Sequence, residues 1–267
     1  MIDLSLFDLV LVFGLILLAA GLIRIIGVGG ERDLLIAALR MIGQLLLVGY
    51  TLHLVFAIES AAPVLLVLLI MGGLAVHTVA ARIRTRMPKL YRVVATAMLA
   101  GCGGTTLFFC YLVIGLDPWY DPRYLIPLTG MIIGNSMTGA SLAAERLSEE
   151  IRNRRDEIET ALCLGATARQ ACGDLLKVAF QAALIPTVNA MAAMGIVFLP
   201  GMMTGQILSG TEPMTAVKYQ IAIMCVITGS VAVTSFLILL QGYRSFFTAD
   251  DQLLNIESIT RTKVKKP

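Results

Sequence analysis

The chain contains long, uninterrupted runs of apolar residues, and these runs constrain its fold more than any other feature. A helix needs about 20 residues to cross the hydrocarbon core of a bilayer, whereas the strands of a membrane barrel alternate in polarity and have about 10 residues. Runs that meet the helical requirement lie at residues 4–23, 34–58, 61–81, 93–116, 125–144, 178–199 and 217–243. The sequence therefore predicts an all-α, polytopic membrane helical bundle of about seven transmembrane helices, formed by a single domain over residues 1–267.

The overall composition agrees with a membrane location. Hydrophobic residues make up 57% of the chain and charged residues 15%, so a soluble domain of 267 residues would leave large apolar faces in water. The first run lacks a basic start and an early small-residue cleavage site, and we expect it to be a retained span rather than a cleaved signal. The predicted location is the cell (inner) membrane, where the chain crosses the bilayer several times and contacts its lipid.

Basic residues indicate which connections face the cytoplasm. They follow the first and third runs and recur near the carboxyl terminus, as Arg24, Arg32, Arg82, Arg84, Arg86, Lys89, Arg92, Arg261, Lys263, Lys265 and Lys266. Cytoplasmic loops are enriched in Lys and Arg, which predicts an outside amino terminus and an inside carboxyl terminus. The net charge of +3 follows from these membrane-flanking residues, and nucleic acid is not predicted as a partner.

The positions of cysteine and histidine in the sequence do not predict a metal site. The five cysteines form no close pair, so the sequence predicts neither a disulfide framework nor a zinc site. His53 and His77 occur singly in different runs, and we expect each to pack within the bundle. The sequence leaves any metal ligands unknown.

One long charged stretch, residues 145–177, interrupts the apolar runs. Residues 145–159 contain six acids and four arginines, with no proline or glycine, and predict a solvated extension of the fifth helix. Glu150 and Arg154 are four residues apart, the spacing of a supporting surface ion pair.

The second half of this stretch predicts two short helical segments. A turn is expected near Gly165, and the second segment starts after Thr167. An amphipathic helix with an apolar ridge suits docking into a partner's groove, and contact with lipid is the alternative. The side chains that share its apolar face are Ile158, Ala161, Leu162, Gly165 and Ala166.

The string ETALCLGATARQ at residues 159–170 resembles the Glu-Ala-Ala-x-x-x-Gly loop of ABC-transporter permeases, with Glu159, Ala161 and Gly165 at the matching spacing. The chain departs from the importer pattern in having Thr160 at the first alanine and no Ile-x-Leu-Pro ending. In that superfamily the loop inserts into a cleft of a cytoplasmic ATPase. We therefore call residues 145–177 the coupling segment. The resemblance implies that the ATPase-coupling residues are Glu159, Ala161, Leu162, Gly165, Ala166, Thr167 and Arg169.

Further blocks resemble the FetB-type iron-export permeases, a family that includes plant aluminium-tolerance half-transporters. The blocks are ALRMIGQLLLVGY (38–50), PLTGMIIGNSM (127–137), LCLGATARQA (162–171), AALIPTVN (182–189) and FLPGMMTGQILSGTEPMTAVKYQ (198–220). The resemblance implies a permease that exports iron or another metal, that works as a homodimer, and that depends on a separate ATPase holding ATP and Mg. The chain itself has no GxxxxGK[ST] phosphate loop.

Polar residues inside the apolar runs are candidates for the substrate pathway, because such residues usually face the bundle interior or a watery cavity. Arg40 and Gln44 share a helix face in the second run. Met202 and Met203 offer soft thioethers, which suit copper(I) better than iron, although methionine is also a common packing residue. The complete predicted set is Arg40, Gln44, Asn135, Pro186, Asn189, Met202 and Met203.

Two other functions fit the sequence less well. An ion-driven secondary transporter of a metal or small solute predicts inverted repeats and carboxylates at mid-membrane, and the sequence shows neither. An intramembrane serine hydrolase would need Ser136 as nucleophile with a histidine base within hydrogen-bond reach. The chain is therefore predicted not to be an enzyme. The alternative to an ATP-driven permease is an ion-driven secondary transporter.

Overall fold

Helices account for the regular structure of the chain. The computed structural model describes residues 5–27, 29–58, 60–83, 90–248 and 251–254, and beyond the helices these residues form two isolated β-bridges. The helices divide into two compact units, which meet in sequence between Ser60 and Ala61. An all-α architecture is therefore confirmed.

The first unit is a pair of helices, α1 (Leu6–Ile26) and α2 (Glu31–Ala57), that pack against each other. A capping box starts α1: the Asp8 backbone amide donates to Ser5 Oγ at 3.3 Å, and the Ser5 amide donates to the Asp8 carboxylate at 2.9 Å. The helix ends at Gly27, whose φ of +74° favours glycine.

The second unit contains the remaining described helices. In chain order they are α3 (Ala61–Arg82), α4 (Leu90–Met98), α5 (Gly104–Leu107), α6 (Pro122–Asn153), α7 (Arg155–Cys163), α8 (Ala168–Ala171), α9 (Gly173–Ala193), α10 (Gly201–Leu208) and α11 (Pro213–Gly242). Between and after α4 and α5 the chain is π-helical, at Leu99–Gly103 and Phe108–Ile114, so that 90–114 form one continuous helical rod.

Helix α6 is the centre of the second unit and packs against α3, α9 and α11. Small residues allow close approach to α11: a Cβ placed on Gly139 would lie 2.6 Å from Val231 Cγ1. The hydroxyls of Ser136 and Ser230, both fully buried, lie 2.9 Å apart and form a hydrogen bond across this contact. Small residues and interhelical hydrogen bonds are what hold helices together in lipid.

The chain is a multi-pass membrane protein by this architecture, although the number of spans stays a prediction. Among the described residues, the helices long and apolar enough to cross a membrane are Phe7–Ile26, Glu31–Ala57, Ala61–Arg82, Leu90–Ile114, Gly173–Ala193 and Pro213–Phe246. Helix α6 does not belong to this set, although its first part contains the fifth predicted run. Polar residues such as Asn135, Ser136 and Ser141 lower its hydropathy. Burial among other helices explains how Ser136 and Ser141 are tolerated, whereas the exposed Asn135 amide donates to a carbonyl of its own helix.

The orientation of the chain also stays a prediction. Several residues that support it lie outside the described residues, namely Arg84, Arg86, Lys89, Arg261, Lys263, Lys265 and Lys266. The beginning of the first predicted run, Leu4, lies outside them as well.

The sixth predicted run ends earlier than the sequence indicates. Helix α9 stops at Ala193, and the Gly195 amide donates to the carbonyl of Phe198 at 2.9 Å, closing a reversal in which Gly195 has φ +82°. Pro200 then precedes the short helix α10 as its N-cap residue, so residues 194–199 connect two helices instead of continuing α9.

A glycine pair on α6 tests the close contact with α11. Because a methyl group at Gly139 meets Val231, Gly139→Ala should lower the unfolding free energy by about 1–3 kcal/mol. Gly134→Ala is the matched control, since a Cβ there meets nothing within 4 Å. Thermal unfolding of the purified protein in detergent measures both variants, and equal melting temperatures would contradict the packing described.

Candidate functional site

Helix α6 continues beyond its apolar part into the coupling segment, as predicted, but it breaks at Arg154. That residue leaves helical geometry, with φ −111° and ψ 31°, and α7 begins at the next one. Leu147, Ile151 and Ile158 are fully buried on the inner face. The prediction of a solvated extension is therefore wrong for this face, because its apolar side chains pack on the unit.

A network of ion pairs joins α6 to α7. Glu150 accepts from Arg146 at 2.8 Å and from Arg154 at 3.2 Å, so one carboxylate bridges cations on the preceding and following turns. The predicted pair of Glu150 with Arg154 is confirmed. It is not a pair of exposed groups, however, because the Glu150 side chain is only 10% exposed. Two charge-assisted contacts compensate the burial of this carboxylate and stabilise the junction.

The coupling segment turns at Gly165, where the sequence predicts it. The Ala166 amide donates to the Ala161 carbonyl at 3.0 Å, and the Gly165 amide donates to the Leu162 carbonyl at 2.9 Å. These are the two bonds of a Schellman motif, and the φ of +91° at Gly165 is the left-handed geometry that this motif places on glycine.

The second helical segment also starts where predicted. The Gln170 backbone amide donates to Thr167 Oγ1 at 3.3 Å, and the Thr167 amide donates to Gln170 Oε1 at 2.9 Å. This capping box satisfies amides at the start of α8, which leads through Cys172 into α9. Both ends of the turn are thus fixed by local hydrogen bonds.

The turn between α7 and α8, residues 163–167, forms an exposed tip of the coupling segment. Its most prominent side chain is Leu164, which is 84% exposed, and sequence analysis missed it because it lies off the predicted apolar face. A leucine directly before the glycine of a helix-ending motif is the signal that would have found it. Among the predicted docking residues, Gly165, Thr167 and Arg169 are exposed, whereas Glu159, Ala161, Leu162 and Ala166 are half-buried.

Charged groups flank the tip. Glu159 forms an ion pair with Arg155 at 2.8 Å along α7, and Arg169 is exposed on α8. The coupling segment therefore offers an apolar tip with polar sides on a buried base. Such a surface can enter a groove of another protein.

The predicted pathway residues fall into both units, and each unit is described separately. In the first unit, Arg40 and Gln44 are exposed and lie one turn apart on α2. In the second unit, Asn135 is exposed on α6, and its Nδ2 donates to the Met131 carbonyl of the same helix at 2.8 Å. The amide is thus satisfied within its own helix rather than across a helix contact.

Pro186 and Asn189 are both exposed on α9. They are three residues apart and therefore lie on neighbouring parts of one helix surface. Asn135 and Asn189 belong to helices that pack against each other, so the second unit holds two polar amides on adjacent helices.

The structure separates the predicted methionine pair. Met203 lines a cavity of about 320 Å³, whereas Met202 does not. This cavity lies where the end of α9, the helix α10 and the beginning of α11 meet. The described residues contain no group of three or more His, Cys, Asp and Glu side chains that could hold a metal ion.

The hydrolase interpretation does not fit the geometry. Ser136 is fully buried, and its hydroxyl is bonded to Ser230 rather than to a base. His77 is exposed, and its ring centroid lies 6.4 Å from that of Tyr91. A nucleophilic serine needs both an open site and a base within hydrogen-bond reach.

Comparison with known proteins gives consistent matches over almost the whole chain. Residues 6–247 match the Uncharacterised protein family (UPF0014). The chain is 41% identical over 254 residues to a UPF0014 membrane protein of Synechocystis sp., covering 95% of this chain and 98% of the relative. It is 33% identical to the Protein ALUMINUM SENSITIVE 3 of Arabidopsis thaliana, covering 84% of this chain and 80% of that protein.

A third relative has a name that states an activity. The chain is 31% identical over 235 residues to the Probable iron export permease protein FetB of Escherichia coli, and the match covers 88% of each protein. No solved structure matches the chain.

Cysteine labelling tests the geometry of the tip. Cys163 is exposed, whereas Cys172 is buried, and burial raises the pKa of its thiol to about 11. The thiolate is the reactive form, so Cys172 should stay unlabelled by a polar maleimide from pH 7 to pH 9. Cys163 should be modified in the native protein, and mass spectrometry of the digested protein locates the label. Equal labelling of both cysteines before unfolding would contradict this arrangement.

Proposed function

Because the chain belongs to the UPF0014 family, we propose that it is the permease subunit of an ABC transporter that exports iron or another metal. The relative named as an iron export permease supports metal as the cargo. A separate cytoplasmic ATPase supplies the energy and holds ATP and Mg. Two copies of the chain form the pathway between them.

The exposed tip of the coupling segment is the observation that carries this proposal. Leu164 is 84% exposed at the turn, yet the base beneath it is ordered by the buried side chains of Ile158, Ala168 and Cys172. Covering an exposed leucine with a partner surface is favourable, and on a rigid support little conformational entropy is lost when the partner binds. The ATPase is the partner, and its cleft receives the tip.

The neighbouring predicted residues surround this apolar contact. Arg169 on α8 and Glu159 on α7 contribute charge at its sides, while Ala161, Leu162 and Ala166 form the half-buried wall beneath the turn. A polar rim around an apolar centre is the usual arrangement of a protein interface. Gly165 and Thr167 contribute through the shape of the turn.

Movement of the tip reaches the membrane helices by two routes. On one side, the ion pair of Glu150 with Arg154 stabilises the junction between α7 and α6, a helix of 32 residues that is about 48 Å long. On the other side, α8 continues through Cys172 into α9. These two helices carry Asn135, Pro186 and Asn189, so a displacement at the ATPase shifts the candidate pathway directly.

Substitution of Leu164 tests the docking contact. Leu164→Glu should weaken binding of the ATPase by about tenfold to a hundredfold, because burial of a leucine side chain contributes about 1.5–3 kcal/mol. The fold should persist, since this side chain is 84% exposed. Co-purification of the ATPase with the tagged permease, followed by measurement of its dissociation constant, provides the readout.

Leu164→Met is the matched control and should retain binding, because it keeps an apolar side chain of similar volume. Undiminished co-purification with Leu164→Glu would place the contact elsewhere. Metal export by the wild-type chain without any ATPase would favour an ion-driven secondary transporter instead.

The backbone at Gly165 gives a second test of the same contact. Space around Gly165 is open, but its φ of +91° is unfavourable for any L-residue with a side chain. Gly165→Val should therefore distort the turn and weaken ATPase binding, whereas Gly173→Ala, at the start of α9 and with nothing within 4 Å of its Cβ, should not. The same binding assay compares them, and equal affinity for the two variants would show that the shape of the turn is unimportant.

A further inference from the structure

The cavity between α9, α10 and α11 is lined by sulfur-containing residues from all three helices or their ends. Met191 comes from the last turn of α9 and Met203 from α10, while Met224 comes from α11. Met194, directly after α9, and Cys225, next to Met224, complete the set. Four methionines and a cysteine thus line one cavity of about 320 Å³.

Two of the thioethers are held by polar side chains of α11. Gln220 Nε2 donates to the sulfur of Met194 at 3.7 Å, whereas the Thr228 hydroxyl donates to the Met224 carbonyl at 2.8 Å and also lies 3.3 Å from the sulfur of Met191. The two contacts place the sulfur atoms of Met191 and Met194 beside polar side chains of α11.

The same glutamine leaves one polar atom unsatisfied. Gln220 is only 8% exposed and lines the cavity, and no donor among the described residues bonds to its buried Oε1. Buried polar atoms nearly always have a partner. An oxygen of this kind at a sulfur-lined cavity is a further donor for a positively charged ligand.

We propose that this cavity binds a soft monovalent metal cation, copper(I) or its analogue silver(I). Thioether and thiol sulfur are the ligands that copper(I) prefers, whereas carboxylate and carbonyl oxygen suit harder ions. A singly charged ion is also the one that neutral ligands in an apolar cavity can compensate most readily, because the cost of desolvation rises steeply with charge.

The position of the cavity fits the exit of an export pathway. It lies at the end of α9 opposite the coupling segment, and the 21 residues of this helix separate the two by about 30 Å. Met191 is 44% exposed, so the cavity is accessible to an ion. That this ion is the cargo rests on the proposed export function. That the purified chain binds the ion is independent of that function.

Silver(I) is the probe for the test, because it shares the ligand preference of copper(I) and does not change oxidation state in air. The full-length protein in detergent carries Cys163→Ser, which removes the exposed thiol of the tip. Calorimetric titration in chloride-free buffer gives the affinity, and elemental analysis of the desalted protein gives the amount bound. We expect one silver ion per chain at this site.

The decisive variant is Met194→Leu with Met224→Leu, which should bind silver at least tenfold more weakly. Leucine and methionine have similar volumes, so the packing should survive, and the melting temperature checks this. The matched control is Met41→Leu with Met214→Leu, which removes the same number of thioethers from positions that do not line the cavity.

Equal silver binding by the cavity variant and its control would overturn the proposal, as would failure of the wild-type protein to bind silver. Displacement of the bound silver by an equal concentration of iron(II) would overturn the preference for a soft ion. Failure of the wild-type chain to co-purify with an ATPase, while it still binds silver, would instead count against the proposed transporter function alone.

Discussion

The contact between α6 and α11 is the interaction on which the second unit depends. Lipid tails are as apolar as the helix surfaces, so the hydrophobic effect does not drive helices together within a bilayer. Close packing at Gly139 and the buried hydrogen bond between Ser136 and Ser230 supply the attraction instead. Because α6 is enclosed in this way, it can carry polar residues such as Ser136 and still occupy the centre of the unit.

The same helix connects the centre of the unit to the coupling segment. Its last turns keep an apolar inner face, with Leu147 and Ile151 buried, while Glu150 is held between two arginines. A free amphipathic helix resting on lipid would not need this base. The buried apolar face and the ion pairs instead attach the end of α6 to the rest of the second unit.

Local patterns predicted much of this structure, and long-range contacts account for most of what they missed. Gly165 and Thr167 mark the turn and the following helix start because their effects act within a few residues. The end of α9 was placed too late, since residues 194–199 remain apolar and only the reversal at Gly195 ends the helix. Whether an apolar or charged residue faces solvent also depended on tertiary packing: Leu164 is exposed, and Glu150 is buried.

The sulfur cavity could not be found from sequence spacing, because its methionines lie up to 33 positions apart, from Met191 to Met224, and only the folded chain brings them together. Its chemistry is consistent with the demands of transport. An exit site must bind the cation strongly enough to draw it from the pathway, and weakly enough to release it outside. Neutral thioethers suit this site better than a cluster of carboxylates, because they bind a soft ion without adding negative charge to the site.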